Sequence, residues 1–219
     1  MNMNDPKKVM DMYIKKDTLS TRINLHGKYS VNKYGWYNWV FDQYNLNENN
    51  KVLEFGCGTG GIWIGRDKQI PENVQIILTD ISPLMIEKTK EKLDINNIFS
   101  FQVMDIQDIP FSDECFDIII ANHMLYHVPN MEKALSEIIR VLKSDGIFYA
   151  TTNGKSHLKE LQDMYKENEI SFTLENGKEI LNKYFSTIDQ KLYIDSLEVT
   201  DVNDLMDYIV SSNNISKEI

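Results

Sequence analysis

The sequence predicts an open, doubly wound α/β domain: a mostly parallel sheet with helices on both faces. Three observations predict it. Short β-branched runs recur through the middle of the chain at 51–55, 74–79, 98–104, 116–121 and 146–151. The stretches between them carry helical spacing and helix caps. The runs are apolar on both faces, the pattern of strands buried by helices on two sides. The 219 residues have room for one such domain with an appendage, at roughly 150 residues per domain. A chain of this length buries a core without disulfide or metal staples.

The elements follow in order. The first fifty residues are polar and aromatic-rich and predict two helices, with Trp36, Val40 and Tyr44 at i, i+4, i+8. They form an N-terminal helical cap or flap over 1–48, ahead of a ligand-binding α/β domain over 49–219 whose appendage starts near 153. Ser82-Pro83 reads as N-cap and first position of a helix through Met85, Ile86 and Thr89. After Pro129-Asn130, the residues Ala134, Leu135, Ile138, Ile139 and Leu142 share one helical face. Asp145-Gly146 supplies the turn into the fifth strand. Beyond it come helical stretches over 156–165 and 175–185, an extended run over 187–199 predicted as a strand, and a helix over 201–210.

Charge narrows the function classes. Lys and Arg number 23 against 33 Asp and Glu, for a net charge of −10. A phosphate-binding surface needs the reverse balance, so the charge weighs against nucleic acid as partner. Cys57 and Cys115 are the two cysteines, which fits a reducing, cytoplasmic setting rather than a disulfide framework. The first residues show no apolar signal region, and no apolar run approaches the ~20 residues that cross a bilayer. No zinc spacing or paired-acid metal site is present, and no metal is predicted.

In a doubly wound sheet, ligands bind beyond the carboxyl ends of the strands, so those loops carry the chemistry. The first strand runs into Glu54-Phe55-Gly56-Cys57-Gly58-Thr59-Gly60-Gly61. Gly56, Gly58 and Gly61 satisfy a G-x-G-x-x-G fingerprint, a weak signal when alone. Asp80 ends the second strand 19 residues past Gly61, where an acid accepts hydrogen bonds from ribose hydroxyls. The competing reading is an acid stabilising a helix N-terminus. Asp105 ends the third strand ahead of Pro110-Phe111, and is either a turn residue or an acceptor for an exocyclic amine. Ile81 and Ile106 are placed to sandwich a flat ring. The fourth strand ends in Ala121-Asn122-His123-Met124-Leu125-Tyr126-His127, two histidines and a tyrosine in a ligand-facing loop.

Together these residues resemble a family. Glu54-x-Gly56-x-Gly58-x-Gly60 is similar to the first motif of the class I S-adenosylmethionine-dependent methyltransferases, and the acid two residues ahead of Gly56 is unusual for a nicotinamide-binding turn. Asp80 matches the family's ribose-binding acid, and Asp105 with Pro110-Phe111 its adenine-binding motif. Phe116-Asp117 through His127 resembles the fourth motif, and Leu142 through Gly146 the turn before the fifth strand. The resemblance covers about 50–152 and is closest to the small-molecule branch, which includes quinone and natural-product methyltransferases. It implies a Rossmann-like methyltransferase fold, S-adenosyl-L-methionine as cofactor, S-adenosyl-L-homocysteine as product, and in-line methyl transfer to a small-molecule acceptor.

Residue by residue, the resemblance implies that the backbone at Gly56, Cys57 and Gly58 passes under the methionine part of the cofactor. Glu54 orders that turn and offsets the ammonium. Asp80 holds the ribose with Ile81 against the adenine, Asp105 and Ile106 hold the adenine's amine and edge, and the Asn122 carbonyl meets the ammonium or lines the methyl path. His127, then His123 and Tyr126, are the candidate base or acceptor-orienting groups. His26 and Tyr29 fall where relatives place a flap, with Tyr29 against the cofactor. Relatives close the sheet with an antiparallel strand pair. Here no apolar partner strand follows the last helix, so that pair is expected to be incomplete, and the bare edge predicts a homodimer. Three other readings stay open: a non-catalytic adenosyl-cofactor-binding protein, a nucleic-acid methyltransferase, and an NAD-dependent oxidoreductase.

Overall fold

The computed structural model describes residues 18–93, 97–162 and 170–211. Its centre is a five-stranded parallel sheet of β1 (Lys51–Phe55), β2 (Gln75–Asp80), β3 (Phe99–Val103), β4 (Phe116–Asn122) and β5 (Leu142–Thr151). The spatial order is β3-β2-β1-β4-β5. Chain direction across the sheet therefore reverses between β1 and β4, and a crevice opens at their carboxyl ends. Helices α1 (Thr18–Tyr29) and α2 (Trp36–Phe41) precede the sheet, α3 (Pro83–Leu93) follows β2, and α4 (Met131–Val141) follows β4. This is the doubly wound α/β fold that the strand runs predict.

Side-chain alternation along the strands builds two cores. Val52, Ile76, Leu78, Ile118 and Ile120 point to one face, where they meet Val40 and Phe41 of α2, Trp63, and Ile86 and Leu93 of α3. Leu53, Phe55, Ile119 and Ala121 point to the other, against Ala134, Leu135, Ile138 and Val141 of α4. Two details differ from the sequence reading. Ile139 is 39% exposed, because it stands about 100° around the helix from the centre of the buried stripe. Leu142 leaves the helix altogether, and Val141 completes the stripe.

β5 starts four residues earlier than predicted, and Asp145-Gly146 lies inside it rather than before it. Phe116 pairs with Leu142 but Ile118 pairs with Ile147, so Asp117 alone faces the bulged residues 143–146. Asp117 holds the bulge by accepting from Lys143 Nζ (2.6 Å) and from the Lys51 N–H (2.8 Å).

The C-terminal part holds α5 (Lys159–Gln162), α6 (Leu174–Leu181) and α7 (Val202–Ser211). The extended run over 187–199 is not a sheet strand, which corrects that prediction. It joins the N-terminal segment through one antiparallel bridge, Ser30 with Leu197. The Val31 N–H donates to the Ser196 carbonyl (2.9 Å) and the Glu198 N–H to the Tyr29 carbonyl (3.0 Å). Among the described residues no strand follows β5, so the antiparallel pair is absent there. A third, small core forms where α1 meets α7, from Leu25, Tyr29, Leu161, Tyr208 and Ile209. Lys28 Nζ and Tyr29 Oη both donate to Asp204, at 2.6 and 2.7 Å. No helix among the described residues is long and apolar enough to cross a membrane.

Candidate functional site

A cleft of about 2370 Å³ opens at the carboxyl ends of the strands. Single-ligand pockets hold roughly 300–1,000 Å³, so the cleft has room for two molecules side by side. Its floor is the turn after β1. Gly56 (φ 65°) and Gly60 (φ 70°) take the left-handed conformation that side chains resist. A Cβ on Gly56 would stand 2.8 Å from Met124 Cβ, and one on Gly60 would stand 2.7 Å from Leu93 Cδ1. Bare backbone is thus the only chain that fits this floor. The turn is tied from outside: Thr89 Oγ1 donates to the Gly58 carbonyl (2.6 Å), and the Gly58 N–H donates to Asp80 (3.1 Å).

Two acids flank the turn from adjacent parallel strands. Glu54, at 2% exposure, accepts from Trp63 Nε1 and from Asn122 Nδ2 (3.4 Å). Burial pushes its carboxyl up to about 7, with the Asp80 charge adding to the effect. Asp80, also buried, accepts from the Ser82 N–H (2.9 Å) as well as from Gly58, and burial pushes it up to about 6. Cys57 sits in the turn, but burial lifts its thiol far above the reactive range.

The raised Glu54 carboxyl makes a signed prediction. The unfolded chain ionises Glu54 near 4.5 and the folded one resists until about 7. That contribution to stability is therefore complete below pH 4.5 and is lost as pH rises to 7, by about 3 kcal/mol. Glu54→Gln removes this loss. Urea unfolding at pH 8 is expected to show the ligand-free variant more stable than wild type, and at pH 4 to show no such gain.

The remaining predicted residues are placed as follows. Ile81, Ile106 and Asp105 line the cleft. Both oxygens of Asp105 accept from Gln107 Nε2 at 3.1 Å, and Oδ1 also accepts from the Gln107 N–H at 2.8 Å. Asn122 is buried, donating to Tyr44 Oη (2.7 Å) and accepting from Thr151 Oγ1 (3.2 Å). His123 follows in the left-handed region (φ 49°), uncommon for a residue with a side chain although His enters it more readily than most. Its N–H is held by the Thr151 carbonyl (3.1 Å) and hydroxyl (3.2 Å). Tyr126 and His127 meet edge to face with ring centroids 4.6 Å apart.

Tyr29 alone of the predicted set turns away from the cleft. Its ring lies in the small α1–α7 core and its hydroxyl on Asp204, whereas Leu25, His26, Gly27 and Ser30 of the same segment line the cleft.

Sequence reasoning missed Trp63, Tyr44 and Thr151, which hold Glu54 and Asn122, and Gln107, which caps Asp105. It also missed His157, whose ring stacks on His26 at 5.9 Å. A glutamine two residues past a strand-end aspartate is a readable turn signal. The other partners come from distant segments and leave no local one.

Residues 46–208 match the family described as a methyltransferase domain. The chain is 30% identical over 115 residues to demethylmenaquinone methyltransferase of Lactobacillus johnsonii, covering 51% of this chain and 47% of that protein. It is 35% identical over 107 residues to sterol 24-C-methyltransferase of Candida albicans, covering 48% and 28%. It spans about half the length of the first of these curated relatives, and less of the second. A SAM-dependent methyltransferase from Aquifex aeolicus shares the fold, with TM-score 0.57 and 18% identity over 82% of this chain and 87% of that one. The family match takes in the glycine turn, both flanking acids and the loops after β3 and β4: the chain belongs to the class I S-adenosylmethionine-dependent methyltransferases.

Proposed function

We propose that this protein moves a methyl group from S-adenosylmethionine to a small-molecule acceptor. One observation carries the reading: two buried acids, both held above their usual range, flank a turn of bare backbone at the end of β1. Such a pair wants a cation beside it, and the turn leaves room for one. S-adenosylmethionine carries an ammonium and a sulfonium, and when bound it supplies an already activated methyl group.

The chain's own residues then bind and orient. Gly56, Cys57 and Gly58 support the methionine part, with Glu54 beneath the turn and the Asn122 carbonyl beside the ammonium. Asp80 takes the ribose hydroxyls. Ile81 and Ile106 flank the adenine, and Asp105, steadied by Gln107, faces its amine. The fit is one of donor set and shape: backbone N–H groups, buried carboxylates and apolar walls. Positioning of the reactants supplies roughly 7–11 kcal/mol in reactions of this kind. A base is needed where the acceptor atom still carries a proton, and His127, His123 and Tyr126 stand on the acceptor side for that task.

The acceptor we propose is a largely apolar ring compound. Trp36, Tyr37, Trp39 and Tyr193 line the cleft on that side, with Trp36 and His123 centroids 5.0 Å apart and Trp39 and Tyr193 5.4 Å apart. The names of the relatives, a demethylmenaquinone and a sterol methyltransferase, point the same way.

Calorimetric titration with S-adenosylmethionine, S-adenosylhomocysteine and NADH tests the reading. Both adenosyl ligands are expected to bind at micromolar concentration, and the cationic one to release more protons near pH 6.5, because it drives Glu54 and Asp80 to ionise. The proton count is read from runs in buffers of different ionisation enthalpy. Binding of NADH alone, or of none of the three, overturns it.

A further inference from the structure

All four histidines of the chain line the one cleft. They reach it from different elements. His26 stands on α1 and His157 just ahead of α5, beside the small α1–α7 core; His123 and His127 follow β4. The His26 and His157 rings lie parallel within 8° at 5.9 Å, and Tyr208 of α7 meets His26 edge-on at 6.3 Å. His123 lies against Trp36 of α2, and His127 against Tyr126. His123 is coupled electrostatically to each of the other three, and His157 to His26.

The charged group that acts on His26 is Asp195, on the extended C-terminal run. Its carboxylate is already engaged by Ser30 Oγ (2.6 Å), the Asn32 N–H (2.9 Å) and the Ser196 N–H (2.8 Å). Lys28 and Asp204 on the same two helices neutralise one another. Glu54 lies behind Asn122, next to His123 in the chain.

We propose that His26 and His157 form, with His123 and His127, a single acid–base cluster that carries at most one proton: the proton an acceptor gives up on methylation. This extends the methyl-transfer reading above and rests on it for the proton's source. For the His26–His157 pair, two unit charges 5.9 Å apart at an effective dielectric near 20 disfavour a second protonation by about a hundredfold. Protons on such a cluster belong to the group rather than to one ring. Burial holds His123 and His157 at about 4 and His26 below its usual range, so these three rings enter the reaction unprotonated at neutral pH. In the step itself the bond from the acceptor atom to its hydrogen breaks and its electron pair forms the bond to the methyl carbon. The pair of the carbon–sulfur bond stays on sulfur, and the proton passes to an imidazole nitrogen, then to solvent.

Histidine proton–carbon NMR titration of the full chain tests this. In wild type, the His26, His123 and His157 resonances are expected to titrate below 6.5, over a range wider than one independent group shows. In His157→Gln the His26 and His123 midpoints rise; in His26→Gln the His123 and His157 midpoints rise. Independent single-proton curves in wild type, or midpoints unmoved in whichever variant keeps the wild-type amide spectrum, overturn the cluster. Calorimetry with S-adenosylhomocysteine on the same samples separates the two readings. Coupled curves with no ligand binding sink the methyl-transfer role, whereas ligand binding with uncoupled histidines sinks the cluster alone.

Discussion

Asp80→Asn is expected to weaken binding of both S-adenosylmethionine and S-adenosylhomocysteine by about a hundredfold or more. The carboxylate has two tasks. Inward, it accepts from the Gly58 and Ser82 N–H groups and ties the turn after β1 to the start of α3. Outward, its remaining lone pairs are the acceptors offered to the ribose hydroxyls. An amide turns one acceptor oxygen into a donor, which faces either an N–H or a hydroxyl that needs an acceptor. Hydrogen bonds to a charged group contribute about 1.5–3 kcal/mol each, so losing their charge-assisted character costs about a hundredfold. In the free protein the two backbone donors use different oxygens, so the amide also faces one of them; the relief of a buried carboxyl held up at about 6 offsets part of that loss at neutral pH. Calorimetry and a thermal melt of the same sample read both effects. Unchanged affinity would remove Asp80 from the cofactor's contacts.

Trp63→Ala carries the largest expected loss of stability, about 4–5 kcal/mol. Trp63 is 1% exposed and packs among Phe41, Tyr44 and Phe99, with ring centroids about 6 Å away in each case. Truncating a buried aromatic to alanine costs about 3–5 kcal/mol through lost burial and the cavity left behind. Here the indole N–H also satisfies Glu54, so the variant leaves a buried carboxyl short of a donor. Trp63→Phe separates the two contributions: it keeps most of the packing and loses only the donor. Its urea midpoint is expected to fall by a minor part of the alanine variant's drop, and the fall is expected to grow above pH 7. Equal losses in the two variants would assign the whole effect to the hydrogen bond.

The legible part of this protein was the part whose signals are local. β1 is predicted to the residue, because KVLEF is bounded by a polar loop on one side and a glycine turn on the other. α3 is predicted by its Ser-Pro start. The glycine turn, the strand-end acids and the loop after β4 all reach the cleft, since strand ends in a parallel sheet have nowhere else to point. Errors arose where distant segments decide. Asp145-Gly146 carries turn chemistry, yet the pairing of β5 with β4 absorbs it as a bulge. The run over 187–199 has strand composition, but Ile194 and Leu192 face outward, and its hydrogen bonds go to the end of α1 rather than to β5. Tyr29 lies in the right segment with the wrong orientation, because α7, far along the chain, supplies Asp204 as its partner.

The clasp between α1 and α7 joins residues 175 positions apart, from Tyr29 to Asp204. In the folding chain such a closure comes late, since it gains nothing until the sheet has shortened the path between its ends. Its core is also small beside the two that bury the sheet, so it is expected to open at a lower cost than the sheet does. Brief loosening of that unit is expected to let molecules enter and leave while the strands that hold the glycine turn and its acids stay folded. Residence time in the cleft and global stability are then expected to depend on different parts of the chain, so that substitutions in the clasp change the first with little effect on the second.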